Sequence, residues 1–454
     1  MLCCGGILGQ RESREGREDV TVELRAGAAR ADMTPEPGIP LAGFWRPRPA
    51  KGIDTPLSSH ALVLDDGDSS LAFVAVDLIA LLGSDVDAAK KGIRRETGIR
   101  PERIMVACSH THEAPYPCPL LGKETHAEPD YIDSVIHAIV ESATSACAGM
   151  VPAEVGFGST RVPGLGENRR RLKGPRDAFN VWQLAPEERG VYPPAGPVDD
   201  ELVMLAVRRR SGEPLAVLWN YALHAHVFAS DRISADYPYH VWQQMARALH
   251  PKLTSLYMPG ACGDTNRAPS VESKAIVDRL SEALIHLYGN LQFSSWLPMH
   301  SRLEPIRVKL RDFSTFQEEE IRRKQESSLV VCRQEWEILR EAAAKTIGTV
   351  LQAMAIGSLG FAAVPGEYFT ALGLGIKRGS PFATTAVVEL ANDYVGYIPT
   401  SEAFDQGGYE LFNARSSKVA RGTGELMADE LVDMLSQFHR LDQRSAGPPT
   451  NRRG

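Results

Sequence analysis

The sequence predicts a mixed α/β fold, with β-sheets flanked by helices in one large domain and functional groups at strand ends. Three observations predict it. Between residues 22 and 440, apolar runs of strand length alternate with segments of helical spacing, and no convincing linker divides them. At 454 residues and 43% hydrophobic composition, the chain is long enough for one large core or two packed lobes. Two of the apolar runs also close on a His-x-His pair. No internal repeat is evident.

Taken in order, "SHALVLDDGDSSLAFVAVDLIAL" (Ser59 to Leu81) reads as a hairpin, two apolar runs around an Asp/Gly/Ser turn. "DVDAAKKGIRRETG" follows as a helix stopping near Gly98, and "RIMVACSHTH" as a buried strand. Tyr131, Val135, Ile136, Ile139 and Val140 have helical spacing, with His137 an ordinary member of that helix. "EPLAVLWNYALHAHVF" reads as a strand, "YHVWQQMARALH" as a helix, and "LTSLYMPGACGDTN" as a strand entering a glycine-rich turn. "SVESKAIVDRLSEALIHLYGNL" is a long amphipathic helix, and "LEPIRVKL" a strand. A charged helical stretch from Gln317 to Ala344 precedes strands in "QAMAIGSLGFAAVPGE" and "TTAVVELANDYVGYIPT".

Residues 1–21 and 441–454 are polar or rich in Gly, Pro and Arg, and are expected to be disordered. The net charge of −7 argues against general nucleic-acid affinity. The one basic run, "ENRRRLKGPR" (Glu167 to Arg176), reads on its own as a solvated loop. Seven scattered cysteines without a CxxC pair do not make a disulfide framework. No window approaches the ~20 apolar residues of a membrane span. The opening apolar stretch is too short for a signal peptide and its charges follow it, so a cytoplasmic protein is expected, with secretion left open.

The histidines carry the chemistry. His110 and His112 end one apolar run, His224 and His226 another. On a strand, residues two apart share a face, so each pair could supply a metal ligand and a proton shuttle. Two polar strand ends with no shared site would look the same.

The blocks "CSHTHEAP", "WNYALHAH", "ISADYP", "GACGDTN", "VPGEYFTALG" and "GYIPTSEAFDQGGYE" resemble, in that order, the neutral/alkaline non-lysosomal ceramidase superfamily, over roughly Leu24 to Leu435. The resemblance implies one zinc ion per chain, held by His110, His224, Glu367 and Tyr397. It gives His112 the role of proton shuttle. Arg169, the best match among Arg169–Arg171, and Tyr409 would lie at the reacting carbonyl. Asp264, Asn266 and His226 would support the site by hydrogen bonds. The implied partner is a small-molecule or lipid-like N-acyl substrate, in a catalytic domain spanning residues 22–440. The oligomeric state is not readable.

Two departures shape the expected reaction. Where the family carries a catalytic serine this chain has Asn266, which cannot form an acyl intermediate, so direct attack of zinc-bound water on an amide is expected. Where the family continues Ser-Gly-Pro-Gly this chain has Glu113-Ala114-Pro115-Tyr116; a carboxylate near the metal would favour a polar or cationic substrate, and a solvated Glu113 is the equal alternative. No segment matches the family's C-terminal β-sandwich. Esterase or lactonase action, true ceramidase activity, and a non-catalytic metal- or ligand-binding relative are the alternatives.

Overall fold

The computed structural model describes residues 23–44, 47–122, 128–342 and 344–445. The segment 1–21 lies outside them, as do residues 446–454 of the expected tail. Residues 441–445 continue the last helix, since extending a helix costs far less than starting one.

The chain first lays down β1 (Arg25–Asp32), β2 (Ser58–Asp65), β3 (Ser70–Val76), α1 (Gly83–Thr97), β4 (Ile104–Cys108) and α2 (Pro129–Ala148). It then repeats that order with β5 (Val151–Arg161), β6 (Glu201–Arg209), β7 (Pro214–Tyr221), α3 (Asp236–Ala248), β8 (Thr254–Pro259) and α4 (Ser273–Asn290). The strands form one sheet in the order β8-β7-β6-β5-β1-β2-β3-β4, which reads alike from either edge. A ninth strand, β9 (Phe293–Ser294), pairs with β5. Only β3–β4 and β7–β8 are parallel, and each of these pairs is joined through a helix, α1 or α3, as a parallel crossover requires. The sequence shows no repeat, so this duplication is one of topology.

Local chemistry explains the elements. The β2–β3 turn is closed by Asp66 Oδ1, which accepts the N–H groups of Asp68 (3.1 Å) and Ser69 (2.8 Å). Helix α1 stops at Gly98, whose φ of 78° suits glycine, and Gly98 N–H donates to Arg94 O (2.9 Å).

The sheet consists of two wings. β1 and β5 meet through two residue pairs, Arg25↔Pro152 and Ala26↔Val151, and β8 lies close to β2, β3 and β4 of the opposite wing. A second sheet follows, ordered β10 (Met299–Lys309), β11 (Thr346–Ile356), β12 (Leu359–Ala363) and β13 (Thr384–Val388). Leu62, Phe73 and Met105 of one wing, Leu205 and Met258 of the other, and Met354 and Phe361 of the second sheet share one core. Helices α1 and α2 cover the outer face of the first wing, and α3 and α4 that of the second. Strands buried on both faces read as unbroken apolar runs, which is why their sequences scarcely alternate.

The charged stretch between β10 and β11 forms α5 (Glu318–Gln325) and α6 (Leu329–Glu341) rather than one helix. The break falls at Glu326–Ser328, where Ser328 Oγ donates to Gln325 O (2.8 Å) and competes with the helical ladder. Helices α7 (Thr370–Gly379) and α9 (Thr423–Ser445) cover the second sheet's outer face, with a short α8 (Ala403–Gln406) between them in sequence. Among the described residues no helix is long and apolar enough to cross a membrane.

Candidate active site

Loops following β4, β7, β8, β12 and β13 converge on one point. The first His-x-His lies past its strand, which ends at Cys108, so alternation along a strand is not what groups these residues. His110 instead takes a left-handed conformation (φ 68°), a cost of about 1 kcal/mol or more. Backbone bonds from Ser109 N–H to Val76 O and from His110 N–H to Leu78 O, both 2.9 Å, hold the turn. The second strand likewise ends at Tyr221, and its loop is pinned by Asp236, whose carboxylate accepts the N–H groups of Val227 (3.0 Å) and Phe228 (2.8 Å). Glu367 and Tyr397 are facing partners in a parallel pair of two-residue strands.

His110 is wholly buried, and its Nδ1 faces Ile79 O at 2.9 Å. A proton on that nitrogen leaves the Nε2 lone pair aimed at the centre. Glu367 Oε2 stands 3.4 Å from His110 Nε2 and 3.7 Å from His224 Nε2. Neither His110 Nε2 nor Glu367 Oε2 has a hydrogen-bond partner, while Glu367 Oε1 accepts from Tyr394 OH (2.8 Å). Burial, with His110 nearby, lowers the His224 pKa to about 3 and keeps that ring neutral. Burial opposes the Glu367 charge, yet the adjoining imidazoles hold its pKa well below the carboxylate range.

This donor set fits a small divalent ion. Two ligands about 2.0–2.1 Å from a tetrahedral centre stand about 3.4 Å apart, close to the separations observed. Ring nitrogens of His110, His112 and His224 also lie within 4.8 Å of one another. Glu367 Oε2, between two imidazoles, and His112 Nε2 both lack a hydrogen-bond partner, so each is open to such an ion. Burial raises the Tyr397 phenol well above its ordinary value despite the opposing Arg169, so phenolate ligation would need a cation to draw off the proton.

Arg169 is the arginine that enters. Its Nε donates to Glu410 Oε1 (2.8 Å), Nη1 to His224 Nε2 (3.2 Å) and Asn266 Oδ1 (3.1 Å), and Nη2 to Gly263 O (2.8 Å) and Tyr397 OH (3.0 Å). All five of its N–H groups therefore have acceptors. Arg170 turns away to Glu410 Oε2, Gln406 and Gly407, and Arg171 pairs with Glu167. The three arginines of the basic run are thus a buried scaffold, with Arg169 and Arg170 3% and 1% exposed, and only its later part, with Lys173 and Arg176 exposed, is solvated as the composition suggests.

A cavity of about 380 Å³ opens beside the centre. His112, His226, Asn266 and Tyr409 reach it among the described residues, together with Phe44 and Trp182, which sequence reasoning missed. Gly43 (φ 85°) leaves room for His112, because a Cβ there would stand 2.3 Å from the ring. Burial, then the neighbouring His226, pushes the His112 pKa well below its usual value. Asp264 stays out of the cavity: it accepts from Asn168 Nδ2 (2.7 Å) and Thr370 N–H (2.9 Å), anchoring the glycine turn. Glu113 also faces away, with its carboxylate wholly buried, so it is not the substrate-facing group its position suggests.

The architecture is that of the neutral ceramidases. The crystal structure of neutral ceramidase from Pseudomonas aeruginosa matches with a TM-score of 0.70 and 17% identity, over 92% of this chain and 75% of that one. A ceramidase complexed with C2 matches at 0.69 and 17% identity, over 92% of this chain and 76% of the other. At such identity the likeness is one of fold. No protein-family model matches the chain.

Proposed function

We propose that this chain is a zinc-dependent hydrolase that cleaves the amide bond of a small or medium N-acyl compound, with residues 22–440 acting as one catalytic domain. The observation that carries the reading is the meeting of His110, His224 and Glu367, from distant segments, with donor atoms spaced for one ion. The shared fold with ceramidases, which act on an N-acyl lipid, supports amide chemistry. A cavity of about 380 Å³ lies at the small end of ligand sites, ~300–1,000 Å³, and favours a small or medium substrate over a long-chain ceramide.

His110, His224 and Glu367 would hold the metal, with Tyr397 as the fourth and weakest ligand. Zinc there would polarise the carbonyl and bring the pKa of water from 15.7 towards ~7. His112, neutral in its buried setting and reaching the cavity, takes the nucleophile's proton and returns it to the departing nitrogen. Arg169 can turn the N–H now given to His224 towards the carbonyl oxygen as charge develops there, once His224 Nε2 serves as a ligand. Tyr409, at the same wall, supports that oxygen. Asn266 supplies no nucleophile and keeps Arg169 in place through the bond to Oδ1.

The test combines elemental analysis with an untargeted metabolite screen for a gain of one water divided between two products. One zinc per chain is expected in the wild type, and His224→Ala should lose both the metal and the turnover. Zinc and activity retained in that variant would place the metal elsewhere. Stoichiometric zinc without turnover on a broad N-acyl panel would leave a binding protein.

A further inference from the structure

Glu113 and His226 have no part in the chemistry assigned so far, yet the fold fixes both beside the centre. Glu113 lies three residues past His110, and its backbone is held by an N–H bond to Thr111 Oγ1 (3.3 Å) and by Ser234 N–H donating to Glu113 O (2.9 Å). Its carboxylate is fully buried and faces His226 Nδ1 at 3.2 Å, with Arg48 Nη2 farther off at 3.9 Å. Neither oxygen, nor His226 Nδ1 itself, makes a hydrogen bond in this arrangement, so the two groups meet as close neighbours.

The His226 ring is held as firmly. It stacks on His112 with centroids 4.6 Å apart and an interplanar angle of 27°, and meets Phe44 edge-on at 5.4 Å. Asp236 fixes the backbone just beyond it. A carboxylate is an acceptor only, so a proton shared between the two groups would sit on His226 Nδ1. The Nε2 lone pair is then left free on a ring that lines the cavity and whose side chain is 25% exposed. Of the two ring nitrogens, Nδ1 alone is a fully buried atom without a hydrogen bond.

A free acceptor in the wall of a hydrolase cavity calls for a donor on the substrate. We infer that His226 accepts the N–H of a secondary amide, that Glu113 positions it to do so, and that the pair selects secondary amides over esters and N-alkylated amides. A secondary amide presents one N–H, which loses its water on entering and needs a replacement acceptor. An ester brings lone pairs to the same place, and an N-methyl amide brings a methyl group. Sites built around such a bond reject analogues that lack the donor. The inference rests on the hydrolase reading above and settles the leaving-group class that reading leaves open.

The experiment uses zinc-loaded protein and three substrates with one acyl group: a secondary anilide, its N-methyl anilide and the phenyl ester. Each variant is compared with the wild type, so the intrinsic reactivities cancel. In His226→Ala, kcat/KM for the secondary anilide should fall about tenfold more than for the other two. His226→Gln, whose carboxamide oxygen can accept, should recover part of the ratio. Glu113→Ala should raise KM for the secondary anilide more than for the ester, while leaving bound zinc unchanged. An equal loss on all three substrates, or an unchanged ratio in both His226 variants, would overturn the inference alone. A wild type that holds zinc but turns over none of the three would overturn the hydrolase reading and this inference with it.

Discussion

Replacing Glu410 by glutamine tests whether the site is held by buried charge. One carboxylate serves two buried guanidiniums: Oε1 accepts from Arg169 Nε and Asn180 Nδ2, both at 2.8 Å, and Oε2 from Arg170 Nη1 at 2.9 Å. Glutamine keeps the shape but removes the charge, and its amide turns a donor towards one of these donors. Breaking a buried pair while its partner stays costs about 3–5 kcal/mol, and here two cations lose the same counter-ion. Set against the ~5–15 kcal/mol that holds a typical domain together, this is a large fraction. Domains of 150–250 residues shift ~2–4 °C per kcal/mol, and this chain is longer. Taking ~2 °C per kcal/mol, the melting temperature should fall by about 6–10 °C. Scanning calorimetry of zinc-loaded protein at one fixed scan rate measures it. Turnover should fall as well, because Arg169 loses the bond that aims it. A shift under ~2 °C with full activity would mean the guanidiniums find other acceptors, and Glu410 would not be the keystone argued here.

Burial, with Glu113 adding to it, raises the Asp236 pKa from 3.8 to about 6. The folded state then binds this proton more tightly than the unfolded chain, so the stabilisation is complete below about pH 4 and lost as pH rises through about 6. The stability of wild type relative to Asp236→Asn should therefore fall over that window by about 3 kcal/mol, and pH profiles that stay parallel would refute the assignment. Asn266→Ala should cost less than about tenfold in kcat, against about a hundredfold or more for His112→Ala, with amides hit harder than esters. Comparable total loss in both variants would mean that the glycine turn takes part in the chemistry.

What the sequence discloses is what depends on neighbours along the chain. The β2–β3 hairpin and the stop of α1 at Gly98 follow from turn chemistry within a few residues, and both stand as expected. The four histidines were found by spacing, but the spacing argument supplied a wrong cause: they lie beyond their strands, and a left-handed turn at His110 sets the first pair. Side-chain direction is the property that local sequence does not hold. Arg169, Arg170 and Arg171 are alike as letters, yet the first two share Glu410 from far along the chain while Arg171 turns back to its near neighbour Glu167. Glu113 is neither substrate-facing nor solvated, because its carboxylate is buried beside His226, more than a hundred residues away. Tyr394 escaped notice for the same reason, since nothing near it in sequence marks it as the donor to Glu367. A carboxylate in a core must find a donor or a cation, and the fold decides which one it meets. Residues that react can therefore be nominated from composition and spacing, whereas those that aim them become legible only when the sheets have brought distant loops together.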